Sequence, residues 1–479
     1  MVTPSGATTV SPTVVSAISY LPFGPISSYT LGNGQTITRT YDANYRLTDL
    51  TSPALNLHFA RDVMGNVVAL GNAPGANPAT ETYSYDPLYR LTGITDAGTV
   101  LESYTYNQTG DRLSKTAPGL ATGAYLYTPG THQLASIGNA AQANDADGNT
   151  TGSVMGGNTY GFAYNARNRL SLAQLNGQTV GTYTYNAMGE RINKVATYPQ
   201  AVTERYTYNE SDRLIGEYGT TNRDYIWLGN LPVAVVDNTV GGGVTTSTVN
   251  YVTADQLGTP RVVTSNAGNV IWSWAYQGNP WGEQQPTSTT GYVLNLRFPG
   301  QYYDAETGTS YNMFRTYCAA CGRYQESDPI GLAGGISTYA AVGNNPLSHV
   351  DPLGLVNPDQ PSPITALENA ILEGNVDQIE MLEEAAGVSD DSALGRAAAN
   401  ANKINHIFGE AGHNLDALVK TCGSKGRALQ QLTNAAIKSF PGAADGVKTV
   451  FVVNVNGIDV TVSGVGVNGL FRLGTAYIP

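Results

Sequence analysis

A repeat with a period of about 21 residues constrains the fold of this chain more than any other feature of its sequence. Each copy carries Y-x-Y followed by Asp or Asn, and the second aromatic residue marks its position. The markers form two runs of near-constant spacing: Tyr85, Tyr106 and Tyr127, then Tyr164, Tyr185 and Tyr208. A fixed period of this kind indicates stacked supersecondary units that bury one another's apolar faces.

Each unit has the pattern of a strand, a turn and a second strand. In YSYDPLYRLTGI, which begins at Tyr83, aromatic and polar residues alternate as in a strand with one buried face. Asp86 can bond nearby backbone amides and tighten a turn, and the next strand begins at the Arg-Leu pair. Glycine at 55 residues and tyrosine at 30 suit many turns and pleated surfaces. Because one hairpin is marginal alone, we predict a mainly β protein with a continuous antiparallel sheet.

The pattern Y-x-Y-[DN]-x-x-x-R-L resembles the YD repeats of Rhs proteins, insecticidal toxin-complex C subunits and teneurins. YVTADQLGTPRVVTSNAGNVIWSWAYQGNPWGE, from Tyr251, looks like the end of an Rhs repeat region. The segment from Arg297, RFPGQYYDAETG to NNPLSHVDPLGL, resembles the Rhs-associated core. The resemblance covers residues 30 to 355 and implies a spiralling sheet that forms a hollow shell around an effector. Complete shells of the family are much longer, so we expect a partial shell here.

The composition of the sequence changes after Leu355, where NPDQPSP forms a Pro-rich linker. Residues 356–402 hold nine acidic residues and one basic residue, whereas residues 403–479 hold four acidic and seven basic ones, a swing from −8 to +3. The acidic segment either masks the basic module or is a solvated helix, and the second reading is favoured. We predict repeats over 1–250, an Rhs-associated core over 251–355, an acidic helical linker over 356–402 and a toxin domain over 403–479.

Two copies of D-P-x-G-L, DPIGL at Asp328 and DPLGL at Asp351, follow each other closely in the sequence. Paired carboxylates can hydrolyse a peptide bond when one is ionised and activates water while the other is protonated and donates to the carbonyl oxygen. Taken alone, two Asp-Pro turns are more often structural. The resemblance to Rhs proteins implies instead that both aspartates are catalytic and that the chain cuts itself between Leu355 and Val356. We also consider Arg323 as a residue that orients one carboxylate.

Three cysteines, Cys318, Cys321 and Cys422, imply no disulfide framework. Cys318 and Cys321 form a C-x-x-C, but no second pair and no nearby His complete a zinc set. We favour two small buried residues in a turn over redox or zinc chemistry. The sequence predicts neither a metal nor a cofactor.

Residues 403–479 predict a compact α+β domain. KINHIFGEAGHNLDALVKTCG and KGRALQQLTNAAIKSF have helical spacing. The segment after them predicts three or four antiparallel strands, with hairpin turns at Asn456-Gly457 and Asn468-Gly469.

Histidines in the predicted helices and polar residues on the last strand are the candidates for chemistry in this domain. Metal-free RNA cleavage needs a base for the 2′-hydroxyl, an acid for the leaving oxygen and cations on the phosphate. Alternation places Thr475 and Tyr477 on one face of the strand, with Arg472 on the other unless Gly474 marks a bulge. The candidate residues are Lys403, His406, His413, Arg472, Thr475 and Tyr477.

The pattern KINHIFG…GHNL…GTAYIP resembles polymorphic-toxin ribonuclease domains of the barnase–EndoU–colicin type. A capping or core role for His406 with an exposed His413 is the structural alternative. A metal-dependent HNH-type nuclease is disfavoured, because only two histidines follow residue 355 and no acidic ligand pair is evident.

Three functions from different classes remain open on sequence grounds. The first is a toxin that self-cleaves and releases a ribonuclease acting on tRNA or rRNA in interbacterial competition, with a cognate immunity protein and secretion machinery as partners. The others are a structural or adhesive YD-repeat protein with an inert tail, and a chain whose sole chemistry is self-cleavage. A net charge of −12 argues against nucleic-acid binding by the whole chain. With neither a signal peptide nor a membrane span evident, we expect an effector delivered into the cytoplasm of a target cell.

Overall fold

The chain divides into two compact units, Met1–Asp359 and Gln360–Pro479. The computed structural model describes residues 13–22, 24–117, 119, 121–242 and 244–355 of the first unit. In the second unit it describes residues 415–422, 428, 431–432, 435–436, 438–439, 448–467 and 470–478.

The first unit contains an antiparallel sheet of 26 strands, in which each strand pairs with the one before it in the chain. This arrangement confirms the prediction of a mainly β fold built from consecutive hairpins. The strands are β1 (Val15–Tyr20), β2 (Ile26–Leu31), β3 (Thr36–Tyr41), β4 (Leu47–Thr51), β5 (Asn56–Arg61), β6 (Val67–Gly71), β7 (Ala79–Tyr85), β8 (Leu91–Asp96), β9 (Thr99–Tyr106), β10 (Arg112–Thr116), β11 (Gly123–Tyr127), β12 (Leu134–Ile137), β13 (Ala140–Asn144), β14 (Thr150–Met155), β15 (Asn158–Tyr164), β16 (Leu170–Leu175), β17 (Gln178–Tyr185), β18 (Arg191–Ala196), β19 (Val202–Tyr208), β20 (Leu214–Gly219), β21 (Asn222–Leu228), β22 (Leu231–Gly241), β23 (Val244–Ala254), β24 (Pro260–Thr264), β25 (Val270–Ser273) and β26 (Thr287–Ser288).

The Asp or Asn of each repeat closes the turn between two strands, as the sequence predicts. Asp86 Oδ1 accepts the backbone amides of Leu88 and Arg90, both at 3.0 Å, and Asp86 Oδ2 accepts Arg90 Nε at 2.6 Å. A carboxylate or amide oxygen that bonds the amides two and four residues ahead fixes a tight turn. Asn186 forms the same pair of amide bonds in its own repeat.

Each marker tyrosine connects its own hairpin to the one before it. The tyrosine is the last residue of its strand, and its hydroxyl donates a hydrogen bond to a backbone carbonyl 14 to 18 residues earlier in the chain. This bond explains why the repeat carries Tyr rather than Phe, because only Tyr brings the donor. The bonds run from Tyr85 to Val67 (2.7 Å), Tyr106 to Leu91 (2.7 Å), Tyr127 to Arg112 (2.7 Å), Tyr164 to Thr150 (2.9 Å), Tyr185 to Leu170 (2.7 Å) and Tyr208 to Arg191 (3.0 Å).

The sheet curls until its first hairpins meet strands from the far end of the repeat array. The turn between β2 and β3 reaches the turn after β24, where Asn33 Nδ2 donates to Thr264 Oγ1 at 3.0 Å and Gln35 Nε2 donates to the Gly268 carbonyl at 3.2 Å. A hydrophobic core accompanies this closure, in which Phe59 of β5 packs against Tyr276 with 5.5 Å between ring centroids. The repeats therefore bury one another both along the chain and across the curl.

A four-stranded antiparallel sheet follows, with strands β27 (Tyr302–Asp304), β28 (Thr309–Asn312), β29 (Arg315–Cys318) and β30 (Arg323–Tyr324). Two short 3-10 helices, Gly331–Gly334 and Val342–Asn344, come after it. We call residues 297–355, which include these elements, the terminal segment.

The terminal segment lies along the turns of the repeats and bonds to many of them. The contacts join Asp304 to Arg191 (2.6 Å), Phe314 to Arg169 (3.0 Å), Gln325 to Thr150 (2.9 Å), Tyr339 to Gly148 (2.6 Å), Asn344 to Gly110 (2.8 Å) and Asn345 to Asn66 (2.7 Å).

The second unit packs a helical layer on a three-stranded antiparallel sheet. Helix α1 (Asp416–Cys422) is followed by helical residues within 428–439 and by strands β31 (Lys448–Val455), β32 (Ile458–Val467) and β33 (Leu470–Tyr477). Leu418, Leu432 and Val460 are fully buried in its core. The predicted turn at Asn456-Gly457 joins β31 to β32, with φ of 51° and 84° as a two-residue hairpin loop requires. The predicted turn at Asn468-Gly469 lies outside the described residues.

Candidate self-cleavage site

Asp328 lies just beyond β30, at the start of the first D-P-x-G-L turn. Its amide donates to the Thr338 carbonyl at 2.7 Å, and its Oδ1 accepts the Ile330 amide at 3.0 Å. Gly334 packs against the carboxylate, since a Cβ at this position would lie 2.2 Å from Asp328 Oδ2. The local turn therefore fixes the carboxylate, and glycine leaves room for it.

Asp351 begins the second D-P-x-G-L turn, and its side chain bonds to the backbone of Leu355, the residue before the predicted cut. Its Oδ1 accepts the Leu355 amide at 2.8 Å, four residues ahead, as the turn residues of the repeats do. Its Oδ2 accepts the Tyr324 hydroxyl at 2.8 Å, and its carbonyl accepts Asn312 Nδ2 at 2.9 Å. Strands β28 and β30 thus anchor this turn inside the protein.

Arg315, the first residue of β29, brings the two aspartates together. Its Nη2 lies 2.9 Å from Asp328 Oδ2 and 3.3 Å from Asp351 Oδ2. All three side chains are 1–2% exposed. Two carboxyl groups from separate turns thus share one guanidinium nitrogen in a site from which water is largely excluded.

The same arginine also holds the backbone next to the predicted cut. Arg315 Nε donates to the Gly354 carbonyl, Nη1 donates to the Thr338 carbonyl at 3.1 Å, and the guanidinium lies 3.7 Å from the centroid of the Tyr324 ring. The peptide between Gly354 and Leu355 is consequently held at both ends, by Arg315 at the oxygen and by Asp351 at the nitrogen. Leu355 is 1% exposed, and Val356 lies outside the described residues.

Burial shifts the protonation of the acidic groups around this site. Loss of hydration raises the pKa of Asp328 to about 7; the nearby Asp351 carboxylate adds to the shift and Arg315 opposes it. Burial also raises the pKa of Glu326, which accepts the Thr316 amide, to about 7. Near neutral pH, Asp328 therefore exists in both its protonated and its ionised form.

Sequence reasoning missed Arg315 and considered Arg323 in its place. Arg323 Nη2 donates to the His132 carbonyl at 2.6 Å, and its guanidinium packs on the rings of Tyr127 and Tyr339. It therefore fastens the terminal segment to a repeat turn rather than orienting an aspartate. Both arginines begin short strands of similar composition, so no local signal distinguishes them.

Cys318 ends β29 and Cys321 lies in the turn that leads to β30, and they are 1% and 5% exposed. Both are buried at a turn, as the sequence favoured, but they are joined by a disulfide that the sequence did not predict. Over the described residues, no group of three or more His, Cys, Asp and Glu side chains could hold a metal ion. No helix in the described part of the chain is long and apolar enough to span a membrane.

Only part of the predicted nuclease site can be located. Lys403, His406 and His413 lie outside the described residues. On β33, positions 472, 475 and 477 pair with positions 465, 463 and 461 of β32. Positions 475 and 473 of β33 pair with the consecutive positions 463 and 464 of β32. Gly474 therefore has no partner and is the extra residue of a β-bulge. The bulge assigns the positions of Arg472, Thr475 and Tyr477 to the same face of the sheet, which is the exception that the sequence allows.

Comparisons with known proteins agree with the architecture. The family model described as Teneurin YD-shell matches residues 26–333. The Tc holotoxin pore of Photorhabdus luminescens, solved with a mutated TccC3, superimposes with a TM-score of 0.57 at 20% identity, over 72% of this chain and 19% of that one. A TcdB2–TccC3 crystal structure gives a TM-score of 0.56 at 20% identity, over 71% of this chain and 20% of that one. These structures share the fold.

Several curated relatives are bacterial proteins named as toxins or as probable deoxyribonucleases. Double-stranded DNA deaminase toxin A of Burkholderia cenocepacia is 31% identical over 44% of this chain and 16% of its own length. Probable deoxyribonuclease RhsA of Dickeya dadantii is 28% identical over 57% of this chain and 18% of its own. Toxin protein Tse5 of Pseudomonas aeruginosa is 41% identical over 22% of this chain and 8% of its own. The chain thus spans less than a fifth of the length of each of these relatives.

Proposed function

The chain belongs to the teneurin YD-shell family, and on that premise we propose that it is part of a toxin that cuts itself between Leu355 and Val356 and releases its C-terminal domain. The observation that carries this proposal is the contact of Arg315 Nη2 with both Asp328 and Asp351, beside the turn that ends at Leu355.

The chemistry follows from the unequal surroundings of the two carboxyl groups. Asp328, with its pKa raised to about 7 by burial, supplies the proton donor for the carbonyl oxygen of the scissile bond. Asp351 accepts hydrogen bonds from Tyr324 and Leu355 and takes the proton of the attacking water. The water oxygen bonds to the carbonyl carbon of Leu355. The C–N bond then breaks as Asp351 passes its new proton to the nitrogen of Val356, which leaves as an amine, while the collapsing intermediate reforms the carbonyl group of Leu355 and returns a proton to Asp328.

The turn at Asp351 also explains why the cut shell would keep its shape. After hydrolysis the new terminus, Leu355, remains buried with its amide bonded to Asp351, and Gly354 remains bonded to Arg315. None of these contacts depends on the residues beyond the cut.

The test is the mass of the purified chain under denaturing conditions. We expect fragments of 355 and 124 residues, the second being 479 − 355. Asp351→Asn and Asp328→Asn should stay intact, because each removes a carboxyl group at the site with little change in volume. Asp147→Asn, at an exposed turn of a repeat, is the matched control and should be cut. A wild-type chain that stays intact refutes the proposal.

For the released domain we propose metal-independent ribonuclease activity, with His406 and His413 as acid and base and Lys403 and Arg472 near the phosphate. The support is the resemblance of both ends of the domain to toxin ribonucleases, the charge of +3 over residues 403–479, and the bulge that puts positions 472, 475 and 477 on one face. The substrate would be tRNA or rRNA in the cytoplasm of a target cell. A cognate immunity protein would protect the producer, and secretion machinery would deliver the toxin.

A second candidate is an enzyme that acts on DNA, because two of the relatives are named as a DNA deaminase and a probable deoxyribonuclease. Expression of residues 356–479 in bacteria separates the candidates, since this part includes a buried core of its own. Growth arrest with cleaved RNA, relieved by His406→Ala, supports the ribonuclease. Arrest with damaged or mutated DNA and intact RNA supports the second candidate. Normal growth without an immunity gene supports an inert tail on a structural or adhesive protein.

A further inference from the structure

A cavity of about 450 Å³ lies beside the turns of the first repeats. Three arginines line it: Arg39 of β3, Arg46 of the turn after β3, and Arg61 of β5. Residues 256–257 and residues 347–349 of the terminal segment, including His349, complete its lining. Among the described residues that line the cavity, none is acidic. Its volume is in the range of about 300–1,000 Å³ found for small-molecule sites.

Arg39 is the most buried of the three arginines, at 7% exposure. Its Nε donates to the Tyr41 hydroxyl at 3.0 Å and its Nη1 to the Asp255 carbonyl at 3.4 Å, both uncharged acceptors. The carboxylate of Asp255 is engaged by Arg261 at 2.7 Å. Within the part of the chain that the structure describes, no carboxylate lies within 4.0 Å of the Arg39 guanidinium. A buried guanidinium without a counter-charge is costly, and a bound anion would offset that cost.

Arg61 repeats this arrangement on the next pair of strands. Its Nε donates to the Leu47 carbonyl at 3.0 Å and its Nη1 to the Gly65 carbonyl at 2.8 Å. Burial lowers the pKa of Arg61, and the positive charge of Arg46 lowers it further. Arg46 is paired with Asp42 at 2.7 Å, so one of the three charges is already neutralised. Two guanidinium groups without a described carboxylate partner therefore line a single cavity.

From this arrangement we propose that the cavity binds a phosphate-bearing small molecule through Arg39 and Arg61. Guanidinium groups match phosphate oxygens in geometry and can bind them through two parallel hydrogen bonds. Gln256 and Ser348 line the same cavity and add polar side chains for further oxygens. The site is separate from the pair of aspartates and does not depend on self-cleavage.

Isothermal titration of the full chain with inorganic pyrophosphate tests the proposal. We expect binding to the wild type that weakens about tenfold or more in Arg61→Gln, because a hydrogen-bonded charge is removed. Arg61→Lys keeps the charge but cannot bond two oxygens in parallel, and it should fall between the two. Arg167→Gln, an exposed arginine in a turn of another repeat, is the matched control and should bind as the wild type does.

Three results overturn the proposal. They are equal affinity in Arg61→Gln and the wild type, the absence of pyrophosphate binding, and binding of citrate in preference to pyrophosphate at equal ionic strength, which would assign the cavity to carboxylates. Arg39→Gln is the second variant and should weaken binding by a similar factor. Thermal unfolding of each variant beforehand separates loss of binding from loss of the fold.

Discussion

The hydroxyl of each marker tyrosine should stabilise the sheet by a measurable amount, and Tyr106→Phe isolates this contribution. Tyr106 donates to the Leu91 carbonyl at 2.7 Å, and burial raises its pKa to about 12. Phenylalanine keeps the ring and creates no cavity, so the loss is that of one hydrogen bond in a site poor in water. A bond of this kind contributes about 0.5–1.5 kcal/mol net, and a carbonyl left without its partner adds to the cost. We expect a loss of about 1–2 kcal/mol in the free energy of unfolding.

Urea unfolding followed by tryptophan fluorescence measures this loss in the first unit alone, because all four tryptophans lie between residues 227 and 281. Tyr89→Phe is the control: Tyr89 is 42% exposed, so removal of its hydroxyl should change the free energy by less than about 0.5 kcal/mol. Tyr106 and Tyr185 belong to different hairpins, and the double variant should lose the sum of the two single losses. A loss for Tyr106→Phe no larger than that for Tyr89→Phe refutes the reasoning.

Three further predictions concern the terminal segment. Arg315→Met should abolish self-cleavage, because only Arg315 touches both aspartates. Arg323→Met should still be cut, since Arg323 bonds to the His132 carbonyl instead. Denaturing electrophoresis distinguishes the cut chain from the uncut one. Asp328 should contribute a fall in the stability of the first unit as pH rises from about 4 to 7, because folded Asp328 keeps its proton up to a pKa of about 7, whereas an unfolded aspartate loses it near 3.8. In urea titrations at several pH values, Asp328→Asn should reduce the slope of the free energy of unfolding against pH by up to about 1.4 kcal/mol per pH unit. Cys318→Ala with Cys321→Ala should lower the urea midpoint of the first unit, since a native disulfide restricts the unfolded chain, and an unchanged midpoint would contradict this.

The repeats were predictable from the sequence because their determinants are local. The alternation of Y-x-Y and the turn bonds of Asp86 involve residues within a few positions of each other, so a single copy already contains the information for its hairpin. The bulge at Gly474 could be anticipated as an alternative for the same reason. The bond from Tyr106 to Leu91 joins two consecutive hairpins, so the sequence of a single repeat does not predict it.

The candidate site was predictable only in part, because its geometry depends on how distant segments meet. The two D-P-x-G-L motifs identify Asp328 and Asp351, but the sequence cannot tell that they share a nitrogen of Arg315. That contact requires β29 to bring Arg315 within reach of both turns, and β29 also packs against the repeats, where Cys318 contacts Met155. For the same reason no sequence pattern indicates that Arg39 and Arg61 line one cavity.

Because the terminal segment bonds to turns along much of the repeat array, its path depends on the number of repeats. Its contacts with Arg191, Gly110 and Asn66 join it to three different repeats. One extra hairpin among them would shift every later turn by two strand widths, about 9.6 Å, far beyond the reach of a hydrogen bond. The length of the repeat array and the path of the segment that carries both aspartates are therefore bound to change together, so that hairpins can be exchanged one for another in evolution more readily than they can be added or lost.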